Sequence, residues 1–239
     1  MSGGAYSALS GMKTRLDELD RLAADLANVS TAGYKIERAG TLVSERGFSS
    51  QLEAAVDVAP GQSKIDFRPG TIVQTGRDLD VSIEGRGFFV IETAAGDRYT
   101  RNGSFTRRAD GVLTTSSGEP VLGEGGEIKL GRGAVTIDED GTIKAGAAIA
   151  GKLQIVEFER DTDLVRESGA RFRAIAGASP TVAATGTLLG GTLEQSNASI
   201  VDLMAKLTEV SRGFESLQKG VSTIQNDLDG RAIAELARR

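Results

Sequence analysis

Two short stretches carry residue types from which binding or catalytic sites are built. In GAAIAGKL, Gly146 to Leu153, the glycine–lysine spacing approaches a phosphate-binding loop. That chemistry needs a Ser or Thr hydroxyl after the lysine to hold magnesium, and a helix N-terminus whose free N–H groups face the phosphates. Leu153 stands in the hydroxyl position and the next residues alternate as a strand does, so a strand-connecting loop is expected. In DEDG, Asp138 to Gly141, the acidic start of a calcium loop is present. The further spaced oxygen ligands and the closing Glu are missing, and an Asp-Gly hairpin turn is expected instead. Histidine and cysteine are absent. This removes the commonest general base and metal ligand, together with thiolate sites and disulfides. Serines are plentiful, but no Ser–Lys or paired-carboxylate arrangement stands out. No catalytic, cofactor-binding or metal-binding residue is therefore assigned, and no enzymatic activity is expected.

The elements that would have to position any site fall into three regions. The chain has 239 residues, of which 39% are hydrophobic and only 5% aromatic, with no Trp. That composition points to a thin core of Val, Ile and Leu rather than a deep ligand cavity. The net charge is −5 with no block of Lys or Arg, so a nucleic-acid partner is not expected. The start, MSGGAYSALSGMK, lacks the basic and apolar regions of a cleaved secretory signal. No stretch approaches the ~18 apolar residues of a membrane span.

Over residues 1–35, Leu9, Met12, Leu16, Leu19, Ala23 and Leu26 alternate spacings of three and four, a heptad seam. Leu22 and Val29 fall on the outer face of that pattern. Asn28 to Gly33 supplies helix-ending chemistry, with Gly33 suited to a left-handed conformation. Over residues 199–239 the pattern returns in Ile200, Leu203, Leu207, Val210, Phe214, Leu217, Val221, Ile224 and Leu228. Ser199 and Asp202 read as a capping box that starts this helix. At ~1.5 Å per residue the seam runs roughly 40 Å. Gly213 and Gly220 lie on one flank of it, where they would let a neighbouring helix approach closely.

Between the helices the period changes to two. Leu79, Val81 and Ile83 alternate with polar residues, EGRGFFVIE continues the β pattern, and Asn102-Gly103, Asp110-Gly111 and Asp140-Gly141 mark tight turns. Residues 76–180 are expected to form an all-β sandwich or open barrel, with 36–75 and 181–198 as connectors. The fold class is α+β: terminal helices forming a coiled-coil layer, 199–239 pairing with 1–35, plus a central all-β domain. A single seam does not offset the entropy of ordering so long a helix. The termini are therefore expected to need neighbours, which points to an assembly.

The motifs resemble those of the bacterial flagellar basal-body rod and hook family. LANVSTAGYK carries Asn28, Gly33, Tyr34 and Lys35; TGRDLDVSIEGRGFFVI, YTRNGSF and GEPVLGEGGEI follow. GTLEQSN then carries Gly191, Leu193, Glu194, Ser196 and Asn197, and RGFESLQKGV closes the series in family order. The likeness covers nearly the whole chain and is most like the shorter, proximal-rod members. It departs where Ala24 and Asp25 replace the usual paired Asn, and where Gly213 and Gly220 replace bulkier residues. The resemblance implies a structural subunit of the rod, the torque-transmitting drive shaft around the export channel. It implies export by the flagellar type III apparatus without a cleaved signal. It also implies a homo-oligomer in a helical rod beside neighbouring rod proteins. The assembly interface would be the seams: Leu9, Met12, Leu16, Leu19, Leu26, Ile200, Leu203, Leu207, Val210, Phe214, Leu217, Val221, Ile224 and Leu228. A distal-rod or hook subunit is the nearest alternative. An oligomeric ligand- or glycan-binding β-domain is the alternative from another class, although three Tyr and eight Phe are few for glycan stacking.

Overall fold

Among the described residues, heptad spacing at both ends and period-two runs between them resolve into two α-helices and a strand-rich middle. The computed structural model describes residues 2–38, 63–181 and 185–236, with helical side chains described from Gly11 in the first helix and up to Thr223 in the last. The chain divides into two compact units. One holds the two terminal helices and Glu37–Arg38; the other comprises Asn28–Ile36 and Ile65–Ala198. The fold is α+β.

In the helical unit, α1 spans Ser2–Ala27 and α2 spans Ile200–Leu236. Gly11 lies against Leu217 and Arg15 against Gly213, so the helices run antiparallel. Ser199 caps α2: its Oγ accepts from Asp202 N at 3.3 Å and its carbonyl from Leu203 N at 2.9 Å. Leu203 and Val210 are buried, and Leu207, Phe214, Leu217 and Val221 are half-buried. On α1, Met12, Leu19 and Leu26 are half-buried, while Leu22 is only 1% exposed. Leu22 thus lies inside rather than on the outer face expected for it. Leu19, Leu22 and Leu26 form a three–four series as valid as one through Ala23, and leucine removes more apolar surface from water than alanine. The side chains of Leu9, Ile224 and Leu228 lie outside the described residues.

α1 stops at Ala27, directly before the helix-ending stretch Asn28 to Gly33 within the 1–35 segment. Asn28 to Tyr34 instead form turns, with Thr31 N donating to Asn28 O at 2.9 Å and Tyr34 N to Thr31 O at 3.2 Å. In chain order the strands are β1 (Glu37–Arg38), β2 (Lys64–Ile65), β3 (Ile72–Gln74), β4 (Val81–Glu84), β5 (Phe88–Thr93) and β6 (Gly96–Thr100). Next come β7 (Phe105–Arg107), β8 (Leu113–Thr115), β9 (Leu122–Gly123), β10 (Gly126–Glu127), β11 (Val135–Ile137) and β12 (Thr142–Ala145). The series continues with β13 (Ala148–Lys152), β14 (Ile155–Val156), β15 (Leu164–Ser168), β16 (Arg171–Ala174), β17 (Thr187–Gly190) and β18 (Thr192–Glu194).

The largest sheet is antiparallel, in the order β14-β5-β6-β16-β15; β11-β12-β13 form a second, and β7–β8 and β9–β10 are hairpins. β5 explains its own continuous apolar run: Phe88, Phe89, Val90 and Ile91 are all buried, because both faces of the strand are covered. Phe89 and Ile91 join a core with Val81, Phe105, Leu113 and Leu188, whereas Phe88 and Val90 join Tyr99, Phe158 and Phe172 on the other side. Segments read from sequence as connectors also pair: β17 with β4, and β18 with β3. Strands of three or four residues beside glycine leave too short a period to read.

The expected turns at Gly111 and Gly141 have φ near +89° and +88°. Gly103 is required for another reason, since a Cβ there would stand 1.7 Å from Val81 O. Lys152 of the phosphate-loop-like stretch ends strand β13.

Candidate functional site

The two motif segments, LANVSTAGYK and GTLEQSN, meet inside the strand-rich unit. Tyr34, Lys35 and Glu194 are each 1% exposed or less. Lys35 follows the turn after α1, and Glu194 ends β18. The Lys35 ammonium pairs with Glu194 Oε1 and donates to Arg68 O at 2.9 Å. Glu194 Oε1 also accepts from Gly70 N at 3.0 Å, and Oε2 faces Arg101 Nη1 at 3.4 Å. Arg101 leaves the end of β6 and donates to Ile83 O at 3.1 Å and Gly85 O at 2.7 Å, with its guanidinium 5.4 Å above the Phe88 ring.

Two cations therefore share one buried carboxylate, and three backbone carbonyls supply the remaining negative potential. Burial pushes the pKa of Lys35 below its ordinary value, opposed by the charge and hydrogen bond of Glu194. Burial acts in the same direction on Arg101.

Around this triad the backbones are tied together. Gly33 N donates to Glu194 O at 2.7 Å, Asn197 N to Tyr34 O at 3.3 Å and Gln195 N to Thr71 O at 2.8 Å. The Asn197 side chain accepts from Ile36 N at 2.9 Å and donates to Asp66 O at 2.7 Å and Arg68 O at 3.1 Å. Arg166 donates to Lys35 O and lies 4.4 Å above the Tyr34 ring. Gly33 has φ +67°, and a Cβ there would stand 2.3 Å from the Arg101 carbonyl carbon. Its role is close approach to Arg101 rather than capping α1, which ended six residues earlier.

The other motif residues have smaller parts. Asn28 Oδ1 accepts from Thr31 Oγ1 at 3.2 Å, and Gly191 O from Thr75 N at 2.8 Å. Leu193 pairs with Val73 across β18 and β3, and Ser196 Oγ accepts from Ala198 N at 3.1 Å. Arg101, Gly70 and Arg166 were not singled out from sequence. The signal for Arg101 was a charge inside YTRNGSF, between an aromatic strand and a glycine turn. With Lys35 fully buried, the arrangement offers no accessible nucleophile or base. What it does is cross-link the segment entering the unit to the segment leaving it.

Comparison with known proteins follows the same segments. Residues 82–145, which include Arg101, match the flagellar hook protein FlgE/F/G D1 domain. Residues 189–233, which include Gly191 to Asn197 and most of α2, match the flagellar basal body rod FlgEFG protein C-terminal family. The flagellar basal-body rod protein FlgF of Escherichia coli (strain K12) is 34% identical over 251 residues, covering 97% of each chain. The chain belongs to the flagellar basal-body rod protein family. FlgF of Caulobacter vibrioides is 31% identical over 92% of each chain, and FlgG of Bacillus subtilis (strain 168) is 32% identical over 91% of this chain and 93% of its own. Lys35 falls outside both matched family segments, although its partner Glu194, and Arg101 which shares that carboxylate, lie within them.

The seam residues of this rod-family chain lie in the helical unit. Leu203 and Val210 are buried there, but Leu16 is 46% exposed and Ile200 47% exposed, beside Val201 and Met204. Among the described residues no helix is long and apolar enough to cross a membrane.

Proposed function

We propose that the chain is a structural subunit of the bacterial flagellar basal-body rod, on its proximal side, delivered by the flagellar type III export apparatus. The observation that carries this reading is its likeness to proteins named flagellar basal-body rod protein across 97% of its length. In this reading the terminal segments, 1–35 and 199–239, form a coiled-coil layer around the export channel. The β-domain, 76–180, and its connectors contribute further contacts. Copies of the chain and neighbouring rod proteins stack helically, and the stack transmits motor torque. The antiparallel packing of α1 on α2 supports the paired layer, and the exposed Leu16, Ile200, Val201 and Met204 supply apolar surface for neighbours.

The test is genetic and biochemical. A strain lacking the chain should be non-motile and stop rod growth early, and the labelled chain should co-purify with intact basal bodies. Complete, rotating basal bodies without it would sink the reading. A distal-rod role is the second reading, supported by the 32% identity to FlgG of Bacillus subtilis. Labelling beyond the proximal segment would favour it.

A further inference from the structure

Residues 187–197 run as one strap across the strand-rich unit. Thr187 faces Glu84 and Gly190 faces Val81, so β17 closes on β4. Thr192 then faces Gln74 and Glu194 faces Ile72, so β18 closes on β3. Past β18, Gln195 N donates to Thr71 O at 2.8 Å, and the Asn197 side chain reaches Asp66 O and Arg68 O. Among the described residues β3 and β4 have no other strand partner.

The seat is narrow. A Cβ at Gly186 would stand 2.5 Å from Arg86 O and 2.6 Å from Ile83 Cγ2, and one at Gly70 would clash with Gln195 O. Leu188, fully buried, joins the core that holds Val81 and Ile83. Glu194 brings the carboxylate that the buried Lys35 and Arg101 share. Without the strap, β4 would show two core side chains to water and those cations would lack their counter-charge.

Distance along the chain sets the order in which such contacts form. β5–β6, β12–β13 and β15–β16 are hairpins, each joined by two residues. The strap's strand partners lie more than a hundred positions away. Closing so long a loop costs conformational entropy before any contact offsets it, so local pairs form first.

We propose that residues 187–197 are a latch that closes last. Until it docks, the hairpins are formed while 33–36 and 65–84 stay open to exchange; docking orders both segments together. Its use rests on the delivery reading above. A chain emerging N-terminus first cannot fasten its entering segment to its leaving one until residue 197 is free. That keeps a copy in transit from closing early.

Hydrogen exchange on the full-length chain tests this. In pulse labelling during refolding from urea, amides of β5, β6, β15 and β16 should gain protection in an earlier phase than those of β3 and β4. The Gly33 and Ile36 amides, which donate to Glu194 O and Asn197 Oδ1, should rise with β3, β4 and the strap. Protection of β3 and β4 with or before β5 and β6 would overturn the latch. At equilibrium, Leu188→Asp should free 72–74 and 81–84 to exchange while β5–β6 stays protected, because a carboxylate is costly to bury in that core. Gly186→Ala, a milder block, should raise exchange at the same amides by about tenfold, again sparing β5–β6. In either variant, unchanged exchange at 72–74 and 81–84, or loss spread evenly over the unit, would overturn the latch. None of these measurements needs a rod, so failure of the latch leaves the rod reading standing, and failure of the rod reading shows in basal bodies instead.

Discussion

Lys35 and Glu194, 159 positions apart in the chain, form an ion pair that is closed to solvent. One follows the turns after α1 and the other precedes α2, so the pair fastens the two passages of the chain at a single point in the strand-rich unit. Removing charges from water is costly, and such pairs are retained more for specificity of arrangement than for net stability. Here the specificity is plain: Glu194 also fixes Gly70 and Arg101, and its backbone fixes Gly33.

Glu194→Leu should be far more damaging than Lys35→Met. The first leaves two buried cations without their carboxylate, and a broken buried pair costs about 3–5 kcal/mol. The second leaves Glu194 with Arg101 and the Gly70 N–H, so the loss should be smaller. Urea unfolding of the two variants measures the difference. Equal losses would mean that Arg101 does not engage the carboxylate.

Gly33→Ala should destabilise the same unit, while Gly125→Ala should be close to neutral. Alanine at 33 meets both a left-handed backbone and the Arg101–Asn102 peptide at 2.3–2.5 Å. Each strained position of this kind costs on the order of 1–3 kcal/mol. At Gly125 nothing lies within 4 Å. Thermal melts of the pair give the comparison, and a neutral Gly33→Ala would show that the backbone can give way there.

These sites show what one sequence exposes and what it hides. The three–four spacing of Leu203, Leu207, Val210, Phe214 and Leu217 was legible because a helix face is a local property. So were the Asp-Gly turns at Gly111 and Gly141, which depend on one residue's φ. The choice between Leu22 and Ala23 was ambiguous by spacing alone and was decided by tertiary burial, which closes Leu22 to solvent and leaves Ala23 exposed. The pairing of Lys35 with Glu194 could not be derived from spacing, because nothing local joins positions so distant; the resemblance marked both residues as motif but not as partners. Arg101 was harder still, since an arginine in a polar stretch reads as solvated until its strand buries it.

Acid should weaken the strand-rich unit below about pH 4. Hydrogen bonds from the Arg108 guanidinium, then from Val112 N, lower Asp110 from 3.8 to about 2. The Thr142 N–H and hydroxyl lower Asp140, and the Arg98 guanidinium lowers Glu167. Each carboxylate binds protons more weakly folded than unfolded. Its contribution is therefore present above the unfolded pKa and lost as pH falls through the folded one. Melting temperature should fall between about pH 4 and pH 2, less steeply in Asp110→Asn. An identical slope in that variant would show that Asp110 contributes nothing.

Gly220→Leu separates assembly from folding. Gly213 and Gly220 lie seven residues apart on α2, but among the described residues only Gly213 has a neighbour: a Cβ there would stand 3.8 Å from Arg15 Nε, and one at Gly220 would meet none of them within 4 Å. Glycine inside a helix costs about 1 kcal/mol relative to a good helix former. In the isolated chain Gly220→Leu should therefore leave helix content unchanged or raise it. If a neighbouring helix packs closely over Gly220 in the rod, the leucine would stand in its way. The variant should then fold, be exported and fail to join basal bodies, while Gly125→Ala assembles normally. Circular dichroism of the purified chain and motility of the complemented strain read the two halves separately. Full motility with Gly220→Leu would show that this face of α2 stays open in the rod.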